Sequence, residues 1–190
     1  MGSVTKGLEM FRYWLKVMMK CSFWTTSPQG ACYEALSGTQ NECVFHKFLW
    51  KKTIPQKGSF LLWAIFNNSL PTRDMLHHIG VTVDSLDCVM CNNEGESVDH
   101  LFMHWDTTFA VWDYFIKAFH ISWPMPSTVM QLFEAWNWNV QQGRCKEVWS
   151  LFHYALIWNI WKERNSRVHG GRPKKVYEIS LLIDVGSVEL

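Results

Sequence analysis

A chain of 190 residues has room for one domain, or one domain with an appendage. Hydrophobic residues make up 48% of it and charged residues only 18%, which excludes a disordered chain. With 18 basic against 17 acidic residues, bulk electrostatics excludes capture of a polyanion by the whole molecule, so any such role falls to a local patch.

Residues 7–20 have helical composition, and the SFWTTSPQGA stretch behind them is rich in turn formers, so 1–30 reads as a poorly defined leader. Charges interrupt every apolar run near the N-terminus, so no secretory signal is expected. The myristoylation pattern opened by Gly2 fails at Lys6. A short helix at about 31–37 stops at Gly38, and the mixed run VFHKFLWKK ends before Pro55. The next helix, about 59–68, is apolar nearly all round and is expected to be buried. Pro71 and Thr72 open another, with Gly80 as its stop.

Further on, Phe109, Trp112, Phe115, Ile116 and Phe119 recur at helical spacing over about 107–119. A short helix is expected over 128–136. A longer one follows at about 145–166, with Val148, Leu151, Phe152, Ala155, Trp158 and Trp161 as one apolar stripe. Beyond Gly170 and Gly171 come a basic connector and a weakly amphipathic tail. The expected fold is all-α: an irregular helical domain over 31–169 carrying a small zinc knuckle, with 170–190 as a tail. Twelve tryptophans and twelve phenylalanines must supply much of its interior, and any left over form an exposed apolar face. The longest apolar stretch near the C-terminus is about half the ~20 residues that span a bilayer, so no membrane partner is expected.

Between helices lies the string C-x2-C-x8-H-x3-H, formed by Cys88, Cys91, His100 and His104. A C-x2-C step lets one tight turn place two thiolates on one metal, and Asn92, Asn93 and Gly95 tolerate the left-handed backbone such a turn needs. Ser97 is placed to cap a helix on which His100 and His104 lie one turn apart. These are the donors of a closed Zn2+ site. Eight middle residues are too few for the strand and half-helix of a DNA-reading finger. The competing reading is two half-buried thiols and two surface histidines. The scattered spacing of the other cysteines does not look like a disulfide framework and fits a reducing compartment, nucleus or cytoplasm.

The ordered text FLWKKTIPQKGSFLLWAIFNNSLPTRDML, CVMCNNEGESVDHLF, VWDYF and IWNIWKERNSRV resembles the zinc-binding domain that follows the reverse transcriptase in plant LINE-type non-LTR retrotransposons. The resemblance covers roughly Cys32 to Val168. It implies zinc ligation by Cys88, Cys91 and His100, and a reverse transcriptase domain as an absent partner. The family's fourth ligand, a cysteine five residues after the histidine, falls here on Trp105, which cannot bind zinc. His104 is the nearest chemical substitute and Asp106 a weaker one.

Glu94, Glu96 and Asp99 lie near the cluster. However, there is no H-E-x-x-H, no deaminase arrangement, no phosphate-cradling loop and no nucleophile elbow, so no enzyme and no small-molecule substrate are expected. Lys162, Arg164, Arg167, Arg172, Lys174 and Lys175 sit among Trp158, Trp161 and Tyr177, opposed in that stretch by Glu163 alone. Cations beside aromatic faces suit RNA or single-stranded DNA. The same cations also complement a helix C-terminus, and the tryptophans suit a core. A smaller basic cluster is Lys51, Lys52 and Lys57. The expected role is a non-catalytic zinc-binding accessory module, structural or nucleic-acid-associating. The alternative is a metal-free structural relic with a protein-interaction face.

Overall fold

The computed structural model describes residues 46–49, 54–122, 124–136 and 145–189. The chain divides between His46 and Lys47 into two compact units, and the described residues belong almost entirely to the second, Lys47–Leu190. The expected leader and the helices at 7–20 and 31–37 lie outside the described residues.

The described residues are helical, without a strand. In order come α1 (His46–Leu49), α2 (Gln56–Phe66), α3 (Arg73–His78), a π turn (His100–His104), α4 (Asp106–Ala118), α5 (Val129–Trp136), α6 (Cys145–Val168) and α7 (Val176–Glu189). Local chemistry sets several ends as the sequence implied. The Thr72 hydroxyl accepts from the Met75 N–H at 3.3 Å and starts α3. Gly80, at φ +78°, takes the left-handed turn just after it. Helix α2 buries Phe60, Leu61, Leu62, Ala64 and Ile65, in keeping with its all-round apolar sequence.

Helix α6 departs from the expected single stripe. Phe152 through Ile157, then Asn159, Ile160, Trp161, Glu163 and Arg164, are all buried, whereas Val148 is exposed. The reason is its position: α2, α7 and the π turn all pack on it, so it is covered on several sides rather than one. Among its neighbours is α7, whose Ile179 and Ile183 are buried. The segment expected to be a connector and tail is therefore part of this unit.

The aromatic interior expected from composition is present. Phe133 is met edge-on by Phe48 and Phe66, at centroid distances of 5.5 and 5.1 Å. Trp136 and Trp149 stack at 4.0 Å, and Trp112 meets both Trp136 and Phe152 edge-to-face. Such edge-to-face pairs contribute about 0.5–1.5 kcal/mol beyond their buried area. Buried polar ends find carbonyls: the Trp136 Nε1–H donates to Trp149 O and the Tyr154 hydroxyl to Phe48 O.

Trp112→Ala, at the centre of this cluster, is expected to cost about 3–5 kcal/mol in urea unfolding. Phe109→Ala on the same helix, at a residue 49% exposed, should stay within about 0.5 kcal/mol of the parent.

Candidate metal centre

Cys88 and Cys91 lie on a loop whose two ends pair. The Cys88 N–H donates to Glu94 O at 2.6 Å and the Glu96 N–H to Leu86 O at 2.9 Å, across a single antiparallel bridge between Asp87 and Gly95. Within the loop the Asn92 N–H returns to Cys88 O at 2.8 Å, and Asn92 takes φ +57°. Asparagine tolerates that left-handed conformation well among residues carrying a Cβ. Of the three residues expected to serve such a turn, Asn92 alone adopts it. The Met90 N–H points at Cys88 Sγ, 3.3 Å away, which is how a metal-binding knuckle supports its sulfurs.

His100 comes from the next element. The Ser97 hydroxyl accepts from the His100 N–H at 3.1 Å, the cap expected from the sequence. The chain then makes a π turn, closed by the Trp105 N–H donating to His100 O at 2.7 Å. The wider turn leaves carbonyls without their usual helical donors, and side chains supply them. The Thr108 hydroxyl donates to Leu101 O at 3.0 Å and the Trp112 indole N–H to Phe102 O at 2.9 Å.

These elements bring together a Cys88 sulfur, a Cys91 sulfur and a His100 ring nitrogen, with one ligand atom from each within 4.8 Å of the others. His100 Nε2 is 3.4 Å from Cys91 Sγ. Bonds of about 2.3 Å to sulfur and about 2.0 Å to nitrogen put tetrahedral ligands roughly 3.5–3.8 Å apart, so the donors fit one cation with small adjustments. Both cysteines are free thiols, Cys88 buried and Cys91 partly so. Burial pushes the Cys88 thiol up to about 11, outweighing the Met90 and Cys91 backbone N–H groups that favour the thiolate. Metal uptake at neutral pH must therefore release its proton.

His104 is exposed at the end of the π turn and is not in this donor group. Nor is Asp106, exposed at the start of α4. Trp105, at the position of the family's fourth ligand, is buried under the Arg167 guanidinium, 5.1 Å from its ring centroid.

No local sequence pattern announces what holds the knuckle on the domain: three arginines and one carboxylate. Glu96 is completely buried. Its Oε1 accepts from the Arg73 N–H at 3.0 Å and from Arg164 Nη2 at 2.6 Å, and its Oε2 accepts from the Val89 N–H. Arg73 Nη1 donates to Asp87 O at 2.6 Å, and Arg167 Nη1 to Met90 O at 3.0 Å. Asp99 caps α5 through the Val129 N–H. Glu96 and Asp99, near the cysteines in sequence, are thus occupied in holding the fold.

Part of the basic stretch is likewise drawn into the fold. Arg164 is buried on Glu96 and lies over Trp161, and Arg167 and Lys174 both pair with buried Glu163, at 2.8 and 2.6 Å. Trp161 is itself buried, and Lys57 sits over half-buried Trp158. The exposed remainder is Lys162, Lys175, Tyr177 and Arg172, the last paired with Glu178 at 2.6 Å. Tryptophans beside arginines in the sequence mark internal stacking here, not an open platform. Lys51 and Lys52 lie outside the described residues.

Residues 29–112 match the family described as zinc-binding in reverse transcriptase, so the resemblance to a reverse-transcriptase zinc-binding domain holds for that segment, which contains all three donors. A protein of Arabidopsis thaliana named "Putative ribonuclease H protein" is 23% identical over 137 residues. That match covers 70% of this chain and 21% of the Arabidopsis protein, so the chain spans about a fifth of that relative's length. No solved structure matches the chain significantly. No described helix is long and apolar enough to cross a membrane.

Two outcomes are expected. Glu96→Gln leaves Arg164 buried without its counter-charge and should cost about 3–5 kcal/mol, measured by denaturant unfolding in the presence of a chelator. Glu163 supplies a pH dependence. Burial alone would raise its carboxyl, but hydrogen bonds from the Lys174 N–H, the Lys174 ammonium and Arg167 outweigh it and hold the group below its ordinary value of 4.5. A depressed folded value stabilises at neutral pH, and that contribution is lost as pH falls below about 4.5. Melting curves across that range should show the loss in the parent chain and a smaller one in Glu163→Gln.

Proposed function

We propose, from the premise that residues 29–112 are of the reverse-transcriptase zinc-binding family, that this chain is an accessory module of a retroelement protein holding one structural Zn2+ on Cys88, Cys91 and His100. The observation that carries the reading is the convergence of two sulfurs and one imidazole nitrogen from a loop and a π turn onto one point. Softness selects the metal: thiolate and imidazole donors suit zinc, whereas calcium and magnesium take oxygen. A bound cation would tie the loop to the π turn, complementing the arginine contacts that already tie the loop to the domain. We read the module as non-catalytic by itself: of the three carboxylates near the cysteines in sequence, Glu96 and Asp99 are engaged in the fold and Glu94 faces the His100 ring.

A contact with RNA or single-stranded DNA is the second part of this reading. It rests on Lys162, Arg172 and Lys175, the basic residues of the stretch that remain exposed. A reverse transcriptase domain is the corresponding protein partner. The competing reading is a metal-free relic held together by Glu96 and its arginines.

Protein purified without chelator should carry about one zinc per chain, and Cys88→Ser should abolish it. His104→Ala should leave stoichiometry and affinity unchanged, because the exposed imidazole stands outside the donor group. Zinc-free parent protein would favour the relic. Binding to single-stranded RNA should weaken steeply with salt and on charge reversal at Lys162, Arg172 and Lys175, without loss of the fold. Salt-independent retention would remove the nucleic-acid role.

A further inference from the structure

The His100 ring is flanked by different partners at its two nitrogens. Nε2 faces the sulfurs, 3.4 Å from Cys91 Sγ. Nδ1 faces Glu94, whose Oε2 is 3.0 Å away. The His100 side chain is 8% exposed and that of Glu94 71%. Nδ1 is buried and makes no hydrogen bond, with the Glu94 oxygen 3.0 Å away as its neighbour. The Glu94 side chain is exposed, so little packing holds it in one rotamer. Its backbone is already fixed, since Glu94 O accepts the Cys88 N–H at 2.6 Å. The residue that anchors the first cysteine's backbone thus also presents its carboxylate to the histidine. The carboxylate is not in the donor group itself.

We propose that Glu94 is the positioning residue of the metal centre: it accepts the Nδ1–H of neutral His100 and leaves the Nε2 lone pair aimed at the cation. A neutral imidazole carries its proton on one nitrogen and its lone pair on the other, so an acceptor at Nδ1 selects the tautomer that ligates through Nε2. Such carboxylate–histidine–metal arrangements also raise the basicity of the ligating nitrogen. The inference rests on zinc being held by Cys88, Cys91 and His100. It adds a role for a solvent-facing carboxylate whose sequence position alone marks it as a surface residue.

The test uses the full chain, with Zn2+ affinity measured by competition with a chromogenic chelator. Glu94→Ala should weaken affinity by about 10–100-fold. Glu94→Gln, whose amide oxygen still accepts, should recover part of that loss. Melting of the metal-free proteins should coincide, because the truncated side chain is exposed. With Co2+ as the probe, parent and Glu94→Ala should share the same ligand-field bands, and 15N NMR of the zinc-loaded chain should show His100 bound through Nε2 and protonated at Nδ1. Affinity unchanged within twofold in Glu94→Ala, or ligation through Nδ1, would overturn the proposal while leaving the three ligands standing. Altered Co2+ bands in Glu94→Ala would overturn it too, by making Glu94 a direct ligand. Failure of the parent chain to take up zinc would sink the metal reading and this inference together.

Discussion

A carboxylate with no exposed surface decides how this unit is put together. A buried carboxylate needs hydrogen-bond and charge partners, and those of Glu96 come from parts of the chain far apart in sequence. The start of α3 offers the Arg73 N–H, the cysteine loop offers the Val89 N–H, and α6 offers the Arg164 guanidinium, 68 residues away. Each donor must stand where it does for the charge to be tolerated. The position of the loop is therefore fixed by electrostatics as well as by any cation it holds. Arg167 adds a second attachment by reaching Met90 O while covering Trp105.

This division of labour bears on the departure at Trp105. A domain held together chiefly by its metal would lose most of its stability with a ligand. Here Trp105, where the resemblance would put a fourth ligand, is a large buried ring capped by a guanidinium, and it contributes packing. The aromatic cluster around Phe133, Trp136 and Phe152 supplies a core that owes nothing to the cation.

What the sequence revealed followed physical range. Short-range chemistry was legible: the Thr72 cap, the Gly80 stop, the Ser97 cap and the buried α2 each depend on a few adjacent residues. Cys88, Cys91 and His100 were legible as a group because C-x2-C and a downstream histidine fit ligand spacing, whereas His104, expected with them, is exposed and outside it. What depended on distant partners was not legible. Arg164 and Arg167 looked like an open basic surface because Glu96 and Met90, their partners, lie 68 and 77 residues away. Helix α6 looked one-sided because no pattern within it announces that α7 would cover another flank. The π turn was invisible, since the sequence from Ser97 onward suits an ordinary helix equally well.

That turn has a consequence for phase. An α-helix advances about 100° per residue, so the one residue accommodated between His100 and Trp105 rotates everything after it by about that angle. Helix α4 begins directly afterwards, at Asp106, and its buried face (Thr108, Val111, Trp112, Phe115) is aimed at the core from the rotated setting. Straightening the turn would swing that face away or drag the imidazole off the sulfurs. The ligand loop and the aromatic core are geared to each other through a single inserted residue.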